Sequence, residues 1–144
     1  MIRIIAVGKI KEHNLVNMIE DYCKRINKYH KLEIIEIPNS FIETEGKKIL
    51  PKIEKSGFNI ALDINGKREN SISFAKFIET TLMHKAKINF IIGGSDGLAK
   101  EVLDVADMRL SFSDFTLPHG SCRWFLLEQI YRSFKIINNE TYHK

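Results

Sequence analysis

The stretch from Ile88 to His119 limits what this chain can fold into more than any other part of it. It reads INFIIGGSDGLAKEVLDVADMRLSFSDFTLPH. An apolar run breaks at a glycine pair, a helical segment follows, and a second short strand enters a loop closed by Leu117-Pro118-His119. Strand, turn, helix and strand in that order form the unit from which parallel sheets are built. The glycine turn and the later loop read as a pair that grips a cofactor.

The rest of the chain repeats the alternation. Ile2 to Val7 is a compact β-branched run ending at Gly8, suited to a strand buried on both faces. From Asn14, a candidate N-cap, Leu15, Met18, Ile19, Tyr22, Ile26 and Tyr29 fall at helical spacing. Lys24, Arg25 and Lys28 lie off that stripe. With Lys9, Lys11 and Lys31 they form either a positive rim for phosphate or a solvated face. Leu32 to Ile37 is a second strand near a sheet edge, stopped by Pro38, and Asn39 to Gly57 reads as helical although Pro51 conflicts with an unbroken helix. Asn59 to Ile64 is a third strand, closed by the turn signal Asn65-Gly66. Asp63 at its end either faces what lies beyond the sheet or caps the following loop. Ser71 opens a helix with Phe74, Phe77, Ile78 and Leu82 on its core face, and Ser73 is an alternative cap. Strand 89–92, turn 93–97, helix 98–105 and strand 108–112 follow. A long helix then runs from Gly120 to Ile137, stopped by Asn138-Asn139. Its apolar surface, with Trp124, Leu127, Tyr131 and Phe134 at the centre, is broader than a one-sided surface helix needs, which predicts burial against another subunit.

Five strands alternating with helices predict an α/β sandwich with a mainly parallel sheet of five to six strands. At 144 residues the chain suits a single domain, 1–144. No apolar run approaches the roughly 20 residues that span a bilayer, and the N-terminus lacks a cleavage pattern, so a cytoplasmic protein is expected. Cys23 and Cys122 stand far apart, and the five histidines show no ligand spacing, so neither a disulfide framework nor a metal site is expected. The net charge of +4 permits an anionic partner without requiring one.

Gly93-Gly94-Ser95-Asp96-Gly97 is neither GxGxxG nor a P-loop, because Ser95 breaks the first pattern and no GK[ST] follows. What remains is a turn lacking β-carbons at three points, where backbone can approach a ligand closely. Read alone, it is equally a tight turn with no ligand.

Taken together, FIIGGSDGL, LSFSDFTLPH, Arg123, LLEQIYR and the terminal YHK resemble the ribosomal large-subunit pseudouridine methyltransferase H family of the SPOUT superfamily, over essentially the whole chain. The resemblance implies a SPOUT-type fold with a C-terminal trefoil knot, a rare exception to the rule against threading. It implies a homodimer with S-adenosylmethionine as cofactor. The implied activity is N3-methylation of a pseudouridine in large-subunit (23S) rRNA, on the assembled ribosome. Other readings are a non-enzymatic ribosome- or RNA-binding module, and a SPOUT methyltransferase acting on tRNA. Gly120 and Ser121 stand where relatives carry bulkier residues, and Thr141 where proline is usual.

Carried over by position, Leu62, Gly93, Gly94 and the run Phe112, Ser113, Asp114, Phe115, Thr116 and Leu117 are the implied cofactor loops. The sulfonium is itself the activated donor, so the enzyme must mainly hold the methyl in line with the attacking nitrogen. The nucleophile is an imide nitrogen bearing a proton, and a base or nearby cations assist it. The implied candidates are His119, Arg123, Arg132, Tyr142 and His143. His143 could serve as base, Arg132 as an anion or phosphate contact, and Arg123 as an orienting group. His119 at a helix start reads equally as a capping or packing residue.

Overall fold

Alternation along one strand sorts the whole molecule into two layers. In the computed structural model, which describes residues 1–144, β1 (Ile2–Val7) sends Ile2, Ile4 and Ala6 into one core and Ile5 and Val7 into the other. The other strands are β2 (Leu32–Ile37), β3 (Phe58–Arg68), β4 (Ile88–Ile92) and β5 (Met108–Ser111). All pair in parallel, in the order β2-β1-β4-β3-β5. β2 lies at an edge, as its glutamates predict. The sheet has five strands and is wholly parallel, so helices must cover both of its faces.

The larger core lies under α1 (His13–Asn27), α3 (Ser71–His84) and α5 (His119–Ile137), which contribute Ile19 and Ile26, Phe74 and Ile78, and Leu126, Leu127 and Ile130. The smaller lies under α2 (Ile42–Ile49) and α4 (Lys100–Val105), with Ile49 and Val102. Each large aliphatic chain removed from water in this way contributes about 1.5–3 kcal/mol.

Several boundaries differ from those read in the sequence. α1 begins one residue before Asn14, and Glu12 precedes it without a side-chain cap bond. Of residues 39–57, only Ile42–Ile49 is α-helical; Pro51 sits in a following 3-10 turn, Leu50–Lys52, where its missing N–H leaves no ladder bond unmade. The cap of α3 is Asn70, neither serine: its carboxamide accepts from the Ser73 N–H at 2.8 Å, and Ser73 Oγ accepts from the Asn70 N–H at 3.0 Å.

Asn65-Gly66 does not end the third strand. β3 pairs with β5 through Leu62, leaves the ladder for Asp63 to Gly66, and returns with Lys67 opposite Leu110. Asp63 Oδ1 accepts the Asn65 N–H at 3.1 Å, so the turn chemistry shapes an excursion inside the strand. A β-carbon on Gly66 would lie 2.6 Å from the Arg109 backbone, which is why the chain re-enters there on a glycine.

α5 has no exposed residue. Its broad apolar surface is covered within the chain, by α1 on one side and α3 on the other. The breadth of this helix is therefore no reason to expect a second subunit.

Candidate active site

Because every strand runs the same way, the carboxyl ends of β3, β4 and β5 open onto one edge, where ligands of parallel sheets bind. A cavity of about 760 Å³ lies there. Leu62 and the β3 excursion, Asp63 and Ile64, line it beside Ile92, Gly93 and Gly94. The loop after β5 contributes Phe112, Ser113, Phe115, Thr116 and Leu117. Eight of the nine residues implied as cofactor contacts thus meet in one cavity. The ninth, Asp114, is 82% exposed and paired with Arg68 outside it.

The glycines of the turn have different tasks. A β-carbon on Gly93 would lie 2.5 Å from the Gly97 carbonyl oxygen, so Gly93 is needed for the turn to close on itself. Gly97 has φ +82° and nothing near its missing β-carbon. In the loop from Phe112 to Leu117, the only backbone N–H that donates within the chain is that of Phe115, to Ser113 Oγ at 3.0 Å. The N–H groups of Ser113, Thr116 and Leu117 have no partner within the chain. Ser113 itself is occupied with shaping the loop, and its carbonyl accepts from Ser111 Oγ at 3.0 Å. Cys122 also lines the cavity; burial pushes its thiol up to about 11, so it is a neutral wall and not a nucleophile.

The five implied catalytic residues separate into three places. His119 opens α5 at the cavity wall, and a β-carbon on Gly8 would lie 3.3 Å from its Nε2. Arg123 is buried and turned elsewhere: it donates to Glu36 at 2.7 Å and to the Gly8 carbonyl at 3.0 Å. It ties α5 to the ends of β1 and β2, is not among the residues lining the cavity, and keeps its Nε buried without a partner. Arg132, Tyr142 and His143 gather further along α5, roughly 20 Å from His119 at 1.5 Å per residue.

That second cluster centres on Glu128, only 8% exposed. Its carboxylate accepts from Arg132 Nη2 at 2.5 Å and Nε at 3.0 Å, and from the Tyr142 hydroxyl at 3.2 Å. The Tyr142 oxygen is also 3.2 Å from that of Tyr22, and Arg132 Nη1 is 3.1 Å from His143 Nδ1. Burial, then the bond with Tyr22 and the charge of Glu128, push the Tyr142 phenol up, so it stays protonated. The tail is anchored: Glu140 accepts from Tyr29 at 2.8 Å and from Lys135 at 3.2 Å.

Glu128 and Tyr22 were not singled out in the sequence. Glu128 and Arg132 are four apart on one helix, a spacing that signals a pair. Nothing marks Tyr22 beyond its place on the apolar stripe of α1. The positive rim divides as well. Lys9 and Lys11 follow β1 near the cavity, whereas the 15 residues of α1 carry Lys24, Lys28 and Lys31 about 20 Å away toward the opposite edge of the sheet. Arg25 is spent on Asp21 at 2.9 Å.

A parallel α/β sheet with a glycine turn and a looped cavity at its carboxyl edge is the frame of a known enzyme class. Residues 1–143 match the family model described as predicted SPOUT methyltransferase, and the chain belongs to that family. Within it, the chain is 48% identical over 157 aligned residues to the ribosomal RNA large subunit methyltransferase H of Carboxydothermus hydrogenoformans, with 99% of each covered, which places it among the methyltransferases H. Two solved structures share the fold at low identity. A probable methylase family protein from Haemophilus influenzae has a TM-score of 0.61 at 15% identity, covering 99% of this chain and 70% of that one. The SpoU methyltransferase AviRb from Streptomyces viridochromogenes, solved with AdoMet, has a TM-score of 0.53 at 10% identity, covering 92% and 57%.

Proposed function

We propose that this protein uses S-adenosylmethionine to methylate N3 of a pseudouridine in large-subunit rRNA, on the assembled ribosome in the cytoplasm. The observation that carries the reading is the cavity at the ends of β3, β4 and β5, whose loop leaves the Ser113, Thr116 and Leu117 N–H groups unpaired beside apolar walls. A purine needs backbone donors and acceptors at its edge and apolar cover on its faces. A volume of about 760 Å³ accommodates a ligand of this size. The cofactor's name in the AviRb structure and the rRNA in the name of the Carboxydothermus relative support the same reading.

When bound, S-adenosylmethionine supplies an activated methyl group on a sulfonium. The protein's task is then to position and to exclude water. Leu62, Leu117 and Phe115 would cover the ligand, and Gly93, Gly94 and Gly97 would let the turn approach it with backbone, beside the side chains of Ser95 and Asp96. Of the groups suited to the RNA, Arg132 lies about 20 Å along α5 from His119, and Tyr142 and His143 of the tail pack beside it, away from the cavity of their own chain. We therefore include a homodimer in the proposal, with the tail of one copy completing the cavity of the other, and a C-terminal knot around the cofactor loops.

Calorimetry with S-adenosylmethionine and a labelled-methyl assay on ribosomes test this. Saturable binding and label in large-subunit rRNA, dependent on the pseudouridine already being present, are expected. Equal labelling of ribosomes lacking that modification sinks the substrate assignment, label in tRNA supports the tRNA enzyme, and no cofactor binding supports a non-enzymatic RNA-binding module.

A further inference from the structure

We propose that Arg132 is a positioning residue that fixes the tautomer of His143, so that this ring offers an N–H from Nε2 and has no lone pair free to act as a base. The inference rests on the functional reading above only for its consequence at the substrate; the tautomer itself follows from the geometry.

Arg132 Nη1 stands 3.1 Å from His143 Nδ1. A guanidinium has five N–H donors and no acceptor, so the imidazole nitrogen facing it must accept. A neutral imidazole carries one N–H, and with Nδ1 accepting, the proton is on Nε2. The opposite tautomer would set N–H against N–H in a half-buried place.

Arg132 cannot easily turn away to relieve such a clash. Its Nε and Nη2 are held by Glu128 at 3.0 and 2.5 Å, and its guanidinium lies 4.8 Å from the centre of the Tyr142 ring. Glu128 is held in turn: Gln129 Nε2 donates to it at 2.9 Å, and Gln129 Oε1 accepts from Ser71 at the start of α3 at 2.7 Å. A fixed chain of bonds from α3 to the C-terminus thus determines which nitrogen of His143 carries hydrogen.

Tyr142 is committed by the same logic. Its single hydroxyl hydrogen goes to the Glu128 carboxylate, which can only accept, so the bond between the two tyrosines is donated by Tyr22. Neither tail side chain is therefore a proton acceptor, and the expectation of His143 as base is replaced. The imide N–H of the substrate loses its proton to water, the nitrogen keeps the electron pair, and the charge spreads onto the imide oxygens. His143 Nε2–H donates to one of those oxygens, in the manner of an oxyanion-hole donor, and no protein group changes its protonation.

Two measurements decide the matter. In full-length protein with ¹⁵N-labelled histidine at neutral pH, long-range ¹H–¹⁵N correlation is expected to show His143 as the Nε2–H tautomer. Replacing Arg132 by Met should erase that preference; an Nδ1–H pattern in the unaltered protein overturns the proposal. In the methyl assay, His143→Gln keeps an N–H donor near the Nε2 position but has no basic nitrogen. It is expected to retain turnover within about tenfold of the unaltered protein, with a pH–rate profile of the same shape. His143→Ala should fall by about a hundredfold. Equal losses in the two variants overturn the donor role. The Nε2–H pattern without any transfer to ribosomes leaves the tautomer standing and rejects the substrate reading.

Discussion

His30 lies against Phe134 with ring centres 5.9 Å apart, its Nε2 buried and unpartnered. Burial, then the positive charge of the chain's N-terminus, hold this imidazole below its ordinary value of 6.5. The folded protein therefore binds this proton less readily than the unfolded chain, which gains protons first as the pH falls. Stability is expected to decline as pH drops through 6.5 toward the folded value. His30→Phe should make the fall of Tm with acid shallower; an unchanged slope assigns the acid sensitivity to other groups. At this scale the sequence was partly legible. A glutamate four residues before an arginine on a helix announces a pair, so Glu128 and Arg132 could have been read. That Arg123 serves Gly8 and Glu36 depends on how α5 crosses the ends of two strands distant in sequence, and local spacing holds no record of that.

Among the elements, β3 shows how a correct local signal acquires a different meaning in the fold. Asn65-Gly66 does bend the chain, but β5 lies alongside, and Lys67 and Arg68 recover a ladder partner, so the bend becomes an excursion that lines the cavity. Gly66→Ala is expected to cost about 1–3 kcal/mol, as overpacking against backbone does. It should also weaken S-adenosylmethionine binding, because β5 leads directly into the loop 112–117. Thermal unfolding and calorimetry check both; a stability loss with unchanged affinity shows that the cavity does not depend on the excursion. The periodicities of α1, α3 and α5 were visible because amphipathic helices on a sheet must display them. α3 opens at Ser71 as expected, but its cap was not legible, because asparagine and serine are both good caps and only the reciprocal bond between Asn70 and Ser73 distinguishes them.

For the whole molecule, the separation of cavity and tail is what gives the proposed dimer its test. A chain lacking Tyr142 to Lys144 should bind S-adenosylmethionine as the full chain does but lose most of its turnover. A full-length Thr116→Trp variant, bulky at the exposed cavity wall, should lose binding. Mixed in equal amounts, the two should recover about a quarter of normal activity, since half of the twofold dimers then hold one complete site. No recovery indicates that a tail serves its own chain or has no part in the reaction. The parallel sheet and its two helical layers were foreseeable from alternation alone, and the cavity loops from the resemblance; the split between cavity and tail needed coordinates. The strand order has a consequence of its own during synthesis. β1 is an interior strand, yet its second neighbour, β4, ends 55 residues after β2 does. At about 5–20 residues per second, the apolar β1–β2 pair waits roughly 3–11 seconds on the ribosome with one edge unpaired. In that interval a nascent chain of this kind is most open to capture by a chaperone or by another nascent copy.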